Sequence, residues 1–146
     1  MSAIMLSQED WELIRREGEV NYPEECCGFL FGTASDDVRE VLVLQPIGNE
    51  QDSNRARRFL ISPEEFRKAE NHAHETKQEL LGFYHTHPDH PAIPSEFDRE
   101  HALPFYSYVI LSVCNGKAEE LRSWQLDLDR GHYLEEKVSI TEEAIR

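Results

Sequence analysis

The sequence lacks the features that mark membrane-spanning and secreted proteins. No run of about 18 apolar residues occurs in the 146-residue chain, so no segment is predicted to span a bilayer. The N-terminal stretch is acidic and lacks the basic start and apolar core of a signal peptide. These absences predict a cytoplasmic protein, and the length predicts one domain over residues 1–146.

Cysteine is scarce, and its spacing excludes a disulfide scaffold. The three cysteines are Cys26, Cys27 and Cys114, an odd count with no framework spacing. We expect them to be small buried thiols in strands, because free cysteine is among the most buried residue types. The common catalytic motifs HExxH, CxxC, the phosphate-binding loop and a Ser-His-Asp spacing are also absent.

Basic residues are few compared with acidic ones. The chain has 15 lysines and arginines against 29 aspartates and glutamates, which gives a formal net charge of −14. Such a surface repels phosphate groups, so binding to nucleic acid or to an anionic membrane is not expected. The charge fits simple solubility and also fits a partner with a basic face, and charge alone leaves both readings open.

Apolar periodicity and turn residues predict alternating helices and strands. Ser7 is expected to begin a helix that ends near Glu17, with Gly18 as its stop signal. A second helix is predicted from Ser62-Pro63 to about Lys77, and a third over residues 95–102. Strands are predicted at 26–33, 38–47, 58–62, 80–87, 106–113 and 119–128, with residues 133–141 as an edge strand. This order predicts an α/β (α+β) domain in which helices cover a mixed sheet.

Two histidines stand at the end of the strand predicted over residues 80–87. His85 and His87 are two positions apart, so their side chains point to one face of a strand. Two imidazoles on one face can chelate a divalent metal. An isolated HxH is also compatible with two edge histidines that face solvent, and the motif alone favours this second reading.

Ser95 and Asp98 follow the histidines across a proline-rich loop. Their S-x-x-D spacing is that of a capping box at a helix N-terminus, which explains both residues without a metal. The same helix end could also bring Asp98 to the histidines as a third ligand. Two histidines, one aspartate and an open position are the arrangement of a catalytic zinc site.

A hydrolytic metal site also needs a general base. Glu24 and Glu25 precede the apolar run at 26–33, and a carboxylate at the start of a buried strand is a candidate for this role. The pair also fits a solvated acidic stretch in a chain that is rich in acids, so residue types alone leave both readings open.

The spacing of these groups resembles the signature of the JAMM/MPN+ zinc metallopeptidases. That signature runs H-x-H-P, six residues and S-x-x-D, and residues 85–98 match it without a departure in spacing. In the family's first strand a glutamate stands three positions before a glycine, and counting back from Gly28 gives Glu25. The likeness covers roughly residues 5–128. It implies the JAMM/MPN (cytidine-deaminase-like) fold, a three-layer α/β/α domain with a mixed sheet.

The resemblance also implies a role for each residue of the motif. His85, His87 and Asp98 are expected to bind Zn²⁺, and Glu25 to be the general acid/base that activates water. Ser95 is expected to stabilise the oxyanion of the tetrahedral intermediate. An intact set of these five residues argues against a non-catalytic MPN scaffold, the alternative of another class.

The substrate is also an expectation from the resemblance. Eukaryotic deubiquitinases of the family carry two insertions, and the turn at 114–117 has no room for the second. The chain is therefore similar to the minimal, stand-alone prokaryotic type, which implies cleavage at the C-terminal diglycine end of a ubiquitin-like sulfur-carrier protein. The alternatives are a general amidase or peptidase, and a deubiquitinase-like isopeptidase on another substrate. Arg55, Arg57 and Arg58 could meet an acidic partner, although balancing nearby acids explains them equally well.

Four further properties stay open at this stage. They are the oligomeric state, the role of His90, the role of His101, and whether the loop over residues 88–94 gates the site. We expect His90 to be a solvated loop residue. His101, one helical turn after Asp98, is a candidate partner of that carboxylate.

Overall fold

The computed structural model describes residues 2–47, 62–127 and 132–142. Within these ranges the chain forms seven strands and three helices. In chain order they are β1 (Ala3–Ser7), α1 (Gln8–Asn21), β2 (Cys27–Ser35), β3 (Val38–Ile47), α2 (Pro63–Glu75), β4 (Glu79–Pro88), α3 (Glu96–His101), β5 (Ser107–Cys114), β6 (Lys117–Leu126) and β7 (Tyr133–Thr141). The predicted loop at 48–57 and most of the predicted strand at 58–62 lie outside the described residues, and so do Arg55, Arg57 and Arg58.

The strands form one mixed sheet that closes on itself in the order β1-β3-β2-β4-β5-β6-β7. The pairs β1–β3, β1–β7 and β4–β5 are parallel, and the other neighbours are antiparallel. The prediction of an edge strand at 133–141 is wrong, because β7 pairs with β6 on one side and with β1 on the other. Strand β1 was not predicted, although Ile4 and Leu6 alternate with less buried residues and are fully buried.

The helices cover opposite faces of the sheet, which confirms the predicted arrangement of layers. Apolar residues of α1 pack into one core, which contains Ile14, Leu30, Tyr84 and Leu111. Residues of α2 pack into a second core on the other face, with Phe29, Phe31, Phe83 and Tyr108. In β2 the consecutive residues 29, 30 and 31 alternate between these two cores, as the two-residue period of a strand requires. None of the helices in the described part of the chain is long and apolar enough to cross a membrane.

Helix α1 continues past the predicted stop at Gly18 and ends at Asn21. A Cβ atom added to Gly18 would lie 3.1 Å from Thr86 and 3.2 Å from both Leu111 and Val113. The glycine therefore allows α1 to lie close against β4 and β5, and it is not a helix-ending residue. Sequence alone does not separate these two uses of glycine, because a helix tolerates an isolated glycine at a modest cost.

Short turns connect the other elements as the sequence predicts. Asn115 and Gly116 both have positive φ values, 52° and 81°, which is the backbone of a tight type I′ hairpin between β5 and β6. Helix α2 begins with Ser62 as its N-cap and Pro63 at its first position, and it ends at Glu75, two residues before the predicted end.

Candidate metal centre

His85 and His87 lie in β4, which is a central strand. Strand β4 pairs with β2 on one side and with β5 on the other, so its side chains are covered by neighbours along both edges. His85 is 1% exposed and His87 is 7% exposed. Their Nε2 atoms are 3.1 Å apart. The interpretation of His85 and His87 as solvent-facing edge residues is therefore wrong, because both imidazoles are buried and their Nε2 atoms point toward each other.

Helix α3 brings Asp98 to the two histidines. Its Oδ2 atom lies 3.2 Å from Nε2 of His87 and 3.5 Å from Nε2 of His85. The capping box is also present, since Ser95 Oγ accepts from the Asp98 N–H at 3.1 Å and the Ser95 N–H donates to Asp98 Oδ2 at 2.8 Å. The two explanations of S-x-x-D therefore hold together, and one oxygen atom serves the cap and also faces the imidazoles.

The separations within this cluster suit a small divalent cation. One ligand atom from each of His85, His87 and Asp98 lies within 4.8 Å of the others. A tetrahedral ion with ligand bonds near 2.0–2.1 Å needs ligand atoms about 3.3 Å apart. The separations of 3.1, 3.2 and 3.5 Å lie around this value. The three residues could therefore hold a metal with little rearrangement.

The hydrogen bonds around His87 fix which nitrogen faces the cluster. Its Nδ1 lies 2.9 Å from the carbonyl oxygen of Pro91. A carbonyl only accepts, so Nδ1 carries the proton and the lone pair is on Nε2, which is the atom directed at Asp98 and His85. A backbone carbonyl that orients a histidine in this way is the common outer support of a metal ligand.

Burial and charge keep His85 and Asp98 in the protonation states that bind metals. Desolvation lowers the pKa of His85, against the opposing effect of the Asp98 charge, so the imidazole is neutral near pH 7. Desolvation would raise the pKa of Asp98, but the neighbouring His85 imidazole and the hydrogen bond from the Ser95 N–H hold it well below the ordinary value. A neutral imidazole beside an ionised carboxylate is the form that coordinates a cation.

Glu25 lies next to the cluster because of the register between β2 and β4. Cys27 pairs with His85, and the Thr86 N–H donates to the Cys26 carbonyl at 3.0 Å. Continuing this antiparallel register places Glu25 beside His87, on the face that carries both imidazoles. Thr86 Oγ also accepts from the Cys26 N–H at 3.0 Å, which fixes the backbone just after Glu25. Sequence reasoning did not identify this role of Thr86.

The environments of Glu24 and Glu25 separate the two candidate bases. Glu24 is exposed, whereas Glu25 is 7% exposed and its Oε1 atom is buried with no hydrogen-bond partner among the described residues. Desolvation, with a smaller contribution from the Asp98 charge, raises the pKa of Glu25 to about 8. A buried carboxylate with a pKa near neutrality and an unused oxygen can take up and release a proton.

The loop over residues 88–94 is held at several points. Asp89 accepts from the Tyr22 hydroxyl at 2.6 Å and from the Asn115 N–H at 3.0 Å. The hydroxyl of Ser112 donates to the His90 carbonyl at 2.6 Å, and Trp124 Nε1 donates to the Ala92 carbonyl at 3.0 Å. These anchors, together with the His87–Pro91 hydrogen bond, make the loop a fixed wall beside the cluster.

The remaining candidate residues have simpler positions. The side chain of His90 is exposed, as expected for a loop residue. His101 is exposed, and its Nδ1 lies 2.9 Å from the Phe97 carbonyl, to which it donates. Cys26 and Cys27 are buried free thiols, and Cys114 is partly buried. Burial raises the pKa of Cys26 to about 12, so this thiol is not an activated nucleophile.

A closed mixed sheet between helices, with a buried His-His-Asp cluster at the end of a central strand, defines an α+β protein with a candidate metal centre. The family described as prokaryotic homologs of the JAB domain matches residues 7–127. The chain therefore belongs to this family, which confirms the resemblance to JAMM/MPN proteins of prokaryotic type.

Individual relatives agree with this assignment. A protein named desampylase from Haloferax volcanii is 35% identical over 99 residues, which cover 66% of this chain and 69% of that protein. Two solution structures are similar along nearly the whole chain. The protein from Desulfitobacterium hafniense has a TM-score of 0.82 at 29% identity and covers 96% of this chain and 94% of its own. The protein from Salinibacter ruber has a TM-score of 0.70 at 37% identity, with coverages of 100% and 95%.

A more distant structure agrees in fold alone. The crystal structure of a JAB1/MPN domain protein from Archaeoglobus fulgidus has a TM-score of 0.54 at 19% identity, and the match covers 95% of this chain and 99% of that one.

Proposed function

We propose that this protein is a zinc-dependent peptidase that hydrolyses an amide bond at the C-terminal diglycine end of a ubiquitin-like protein of the sulfur-carrier kind. The observation that carries the proposal is the convergence of His85, His87 and Asp98 beside the buried carboxylate of Glu25, whose Oε1 has no hydrogen-bond partner in the part of the chain that the structure describes. The name of the relative from Haloferax volcanii, desampylase, supports an activity of this class.

In this proposal His85, His87 and Asp98 hold the zinc ion. Zinc bound there would supply a Lewis acid that polarises the scissile carbonyl and makes water a better nucleophile. The protein side contributes the orientation of the ligands. The Pro91 carbonyl fixes His87, and the Ser95 N–H fixes the Asp98 oxygen that faces the imidazoles.

Glu25 would act as the general base and then as the general acid. Its unpartnered Oε1 can accept the proton of the attacking water and deliver that proton to the leaving nitrogen. The amide bond then breaks to a carboxylic acid and an amine, so one water molecule is consumed for each bond cleaved. Burial raises the pKa of Glu25 and so strengthens it as a proton acceptor, and the charge of a zinc ion bound nearby would act in the opposite direction.

Ser95 would donate a hydrogen bond to the oxyanion of the tetrahedral intermediate. Its Oγ already accepts from the Asp98 N–H, and this contact uses a lone pair of the hydroxyl and leaves its proton to be donated. Ser95 is exposed at the N-terminus of α3, so a substrate carbonyl can reach it. A well-aimed donor at this place is worth about 10²–10³ in rate.

The test is hydrolysis by the zinc-loaded protein of a sulfur carrier extended beyond its diglycine end. We expect release of the extension, and slower cleavage of the free tail peptide than of the intact carrier. The Glu25→Gln variant is the matched inactive control. Equal rates on the carrier and the peptide would instead indicate a general peptidase. A protein that neither retains zinc nor hydrolyses either substrate would contradict the proposal and favour a scaffold module.

A further inference from the structure

The residues between α1 and β2 carry the proposed general base. This connector, residues 22–26, begins with the partly buried Tyr22 and continues through Pro23 and Glu24, which are exposed, before the chain becomes buried at Glu25. Two consecutive exposed residues have few packing contacts to hold them in place. The position of the Glu25 carboxylate relative to the candidate metal centre therefore depends on what anchors each end of the connector.

The end of the connector that follows Glu25 is anchored on β4. The Cys26 N–H donates to Thr86 Oγ at 3.0 Å, and the Cys26 carbonyl accepts from the Thr86 N–H at 3.0 Å. Thr86 stands between the two histidines in the sequence, so these hydrogen bonds fix the residue after Glu25 to the strand that carries the proposed ligands. They do not hold the residues that precede Glu25.

A side-chain hydrogen bond anchors the other end of the connector. The Tyr22 hydroxyl donates to Asp89 Oδ2 at 2.6 Å. Within the connector, the Glu24 N–H donates to the Asn21 carbonyl at 2.8 Å, and the ring of Pro23 fixes its own φ. Few backbone torsions are therefore free between this anchor and the general base. A displacement of Tyr22 would be passed on to the carboxylate that follows.

Asp89 is a firm anchor because it is itself held by β5 and by the turn after it. The Asp89 N–H donates to the Val113 carbonyl at 2.7 Å, and Asp89 Oδ1 accepts from the Asn115 N–H at 3.0 Å. Its φ is 60°, in the left-handed region that residues other than glycine seldom adopt. Asp89 also stands two residues after His87, so Tyr22 is joined to the chain directly beyond a proposed metal ligand.

We propose that Tyr22 is a positioning residue for the general base, and that its hydrogen bond to Asp89 holds the connector so that Glu25 faces the candidate metal centre. The inference rests on the proposed function, because it concerns the base of that reaction. Misplacing a reacting group by about 1 Å can cost about 100-fold in rate, whereas an exposed hydrogen bond contributes little to stability. The Tyr22–Asp89 hydrogen bond should therefore matter more for turnover than for folding.

The kinetic test compares Tyr22→Phe with Tyr106→Phe, since each variant removes one hydroxyl and keeps the ring. The control is matched, because Tyr106 is also partly buried and its hydroxyl donates to the exposed Glu70 carboxylate at 2.7 Å. With a tail-extended carrier and the zinc-loaded protein, we expect Tyr22→Phe to lower kcat by about tenfold to 100-fold, with KM and zinc content unchanged. Tyr106→Phe should keep wild-type kinetics. Equal losses of kcat in both variants, or no loss in Tyr22→Phe, would overturn the proposal.

Asp89→Gly tests whether Tyr22 acts through Asp89. Glycine adopts a φ of 60° without strain, so this variant removes the acceptor and preserves the backbone conformation. When Tyr22→Phe is added to Asp89→Gly, we expect a further loss of kcat of less than about twofold, because the hydrogen bond is already absent. Losses that multiply in the double variant would mean that the two side chains act independently, which would contradict the proposal.

Amide hydrogen exchange tests the same hydrogen bond without catalysis. In the zinc-loaded protein we expect the Glu24 N–H, which is hydrogen-bonded within the connector, to exchange about fivefold faster in Tyr22→Phe than in the wild type. Tyr106→Phe should leave this exchange rate unchanged. An unchanged rate in Tyr22→Phe would refute the proposal. Faster exchange in a protein that hydrolyses no carrier would instead support the anchoring of the connector and refute the proposed peptidase function.

Discussion

Two helices of this protein begin with the same local motif, and one of them alone serves the candidate metal centre. Helix α2 begins at a Ser62–Glu65 capping box, and α3 begins at a Ser95–Asp98 capping box. In both boxes the serine side chain accepts from the backbone N–H three residues later, at 3.1 Å. Local backbone geometry therefore does not distinguish the two helix ends.

The difference is in what each acidic side chain faces. Glu65 Oε1 accepts from the Ser62 N–H and hydroxyl, both at 3.3 Å, within its own cap. Asp98 Oδ2 accepts from the Ser95 N–H and also lies within 3.5 Å of two imidazoles. A capping residue can therefore also be a candidate metal ligand when the tertiary structure places its carboxylate beside other ligands. The following predictions test that difference between Asp98 and Glu65.

The largest difference in zinc binding and hydrolysis is expected between the variants Asp98→Asn and Glu65→Gln. Removing the Asp98 charge leaves two ligands and should weaken zinc binding by more than about 100-fold, with loss of hydrolysis. Glu65→Gln keeps a side chain that can accept in the cap, so zinc content and activity should stay at the wild-type level. Metal analysis after dialysis against a weak chelator measures both. Equal zinc retention in the two variants would show that Asp98 is no more than a capping residue.

Glu25 should affect turnover without affecting the metal. Glu25→Gln removes the proton acceptor but keeps the shape of the side chain, so kcat should fall by about 10²–10⁴-fold while zinc stoichiometry stays unchanged. Glu24→Gln is the matched control, because Glu24 is the adjacent glutamate and is exposed. Steady-state kinetics with metal analysis separates the two variants. Loss of zinc from Glu25→Gln would contradict a role confined to proton transfer.

Ser95 and Ser62, the N-cap residues of α3 and α2, allow the same comparison, with a smaller expected difference in activity. Ser95→Ala and Ser62→Ala each remove one cap acceptor and should lower the free energy of unfolding by about 1 kcal/mol. Ser95→Ala should in addition lower kcat by about 10²–10³-fold, and it should retain zinc because the backbone N–H still orients Asp98. Urea unfolding and kinetics on both variants provide the comparison. A similar loss of activity in both would mean that Ser95 acts through folding alone.

Much of the fold could be predicted from local patterns in the sequence. Strand alternation, the Asn115-Gly116 turn and the Ser62-Pro63 helix start depend on neighbouring residues, and the structure has each of them where expected. Features that depend on distant contacts were missed or wrong. Closure of the sheet through β1 and β7, and the close packing of Gly18 on β5, join residues far apart in sequence, and no local pattern reports them.

In the candidate site, too, the features set by local sequence were predicted and those set by distant contacts were not. The spacing of His85, His87, Ser95 and Asp98 is local and is readable in the sequence. The choice of Glu25 over Glu24 came from a family resemblance. Its physical basis is the pairing of β2 with β4, which buries Glu25 and exposes its neighbour. The supports from Pro91, Thr86, Ser112 and Trp124 had no sequence signal, because a hydrogen bond to a backbone carbonyl or N–H does not require a particular motif.

The smallest effect is expected in the stability of the metal-free protein. Burial raises the pKa of Glu25 from 4.5 to about 8, so the folded state holds this proton more tightly than the unfolded state. Stability that depends on the protonated form is therefore complete below about pH 4.5 and is lost as the pH rises toward 8. Glu25→Gln removes this loss, so with chelator present the variant should be more stable than the wild type at pH 9 by roughly 1–3 kcal/mol.

The difference in unfolding free energy between Glu25→Gln and the wild type should be close to zero at pH 4.5. Thermal unfolding at both pH values measures it, and Glu24→Gln serves again as the exposed control, which should follow the wild type throughout. A variant that is no more stable than the wild type at pH 9 would mean that the Glu25 carboxylate is solvated in the metal-free protein. Burial just before β2 would then not be what distinguishes Glu25 from its neighbour, and the general base would have to be selected by contacts made with the substrate.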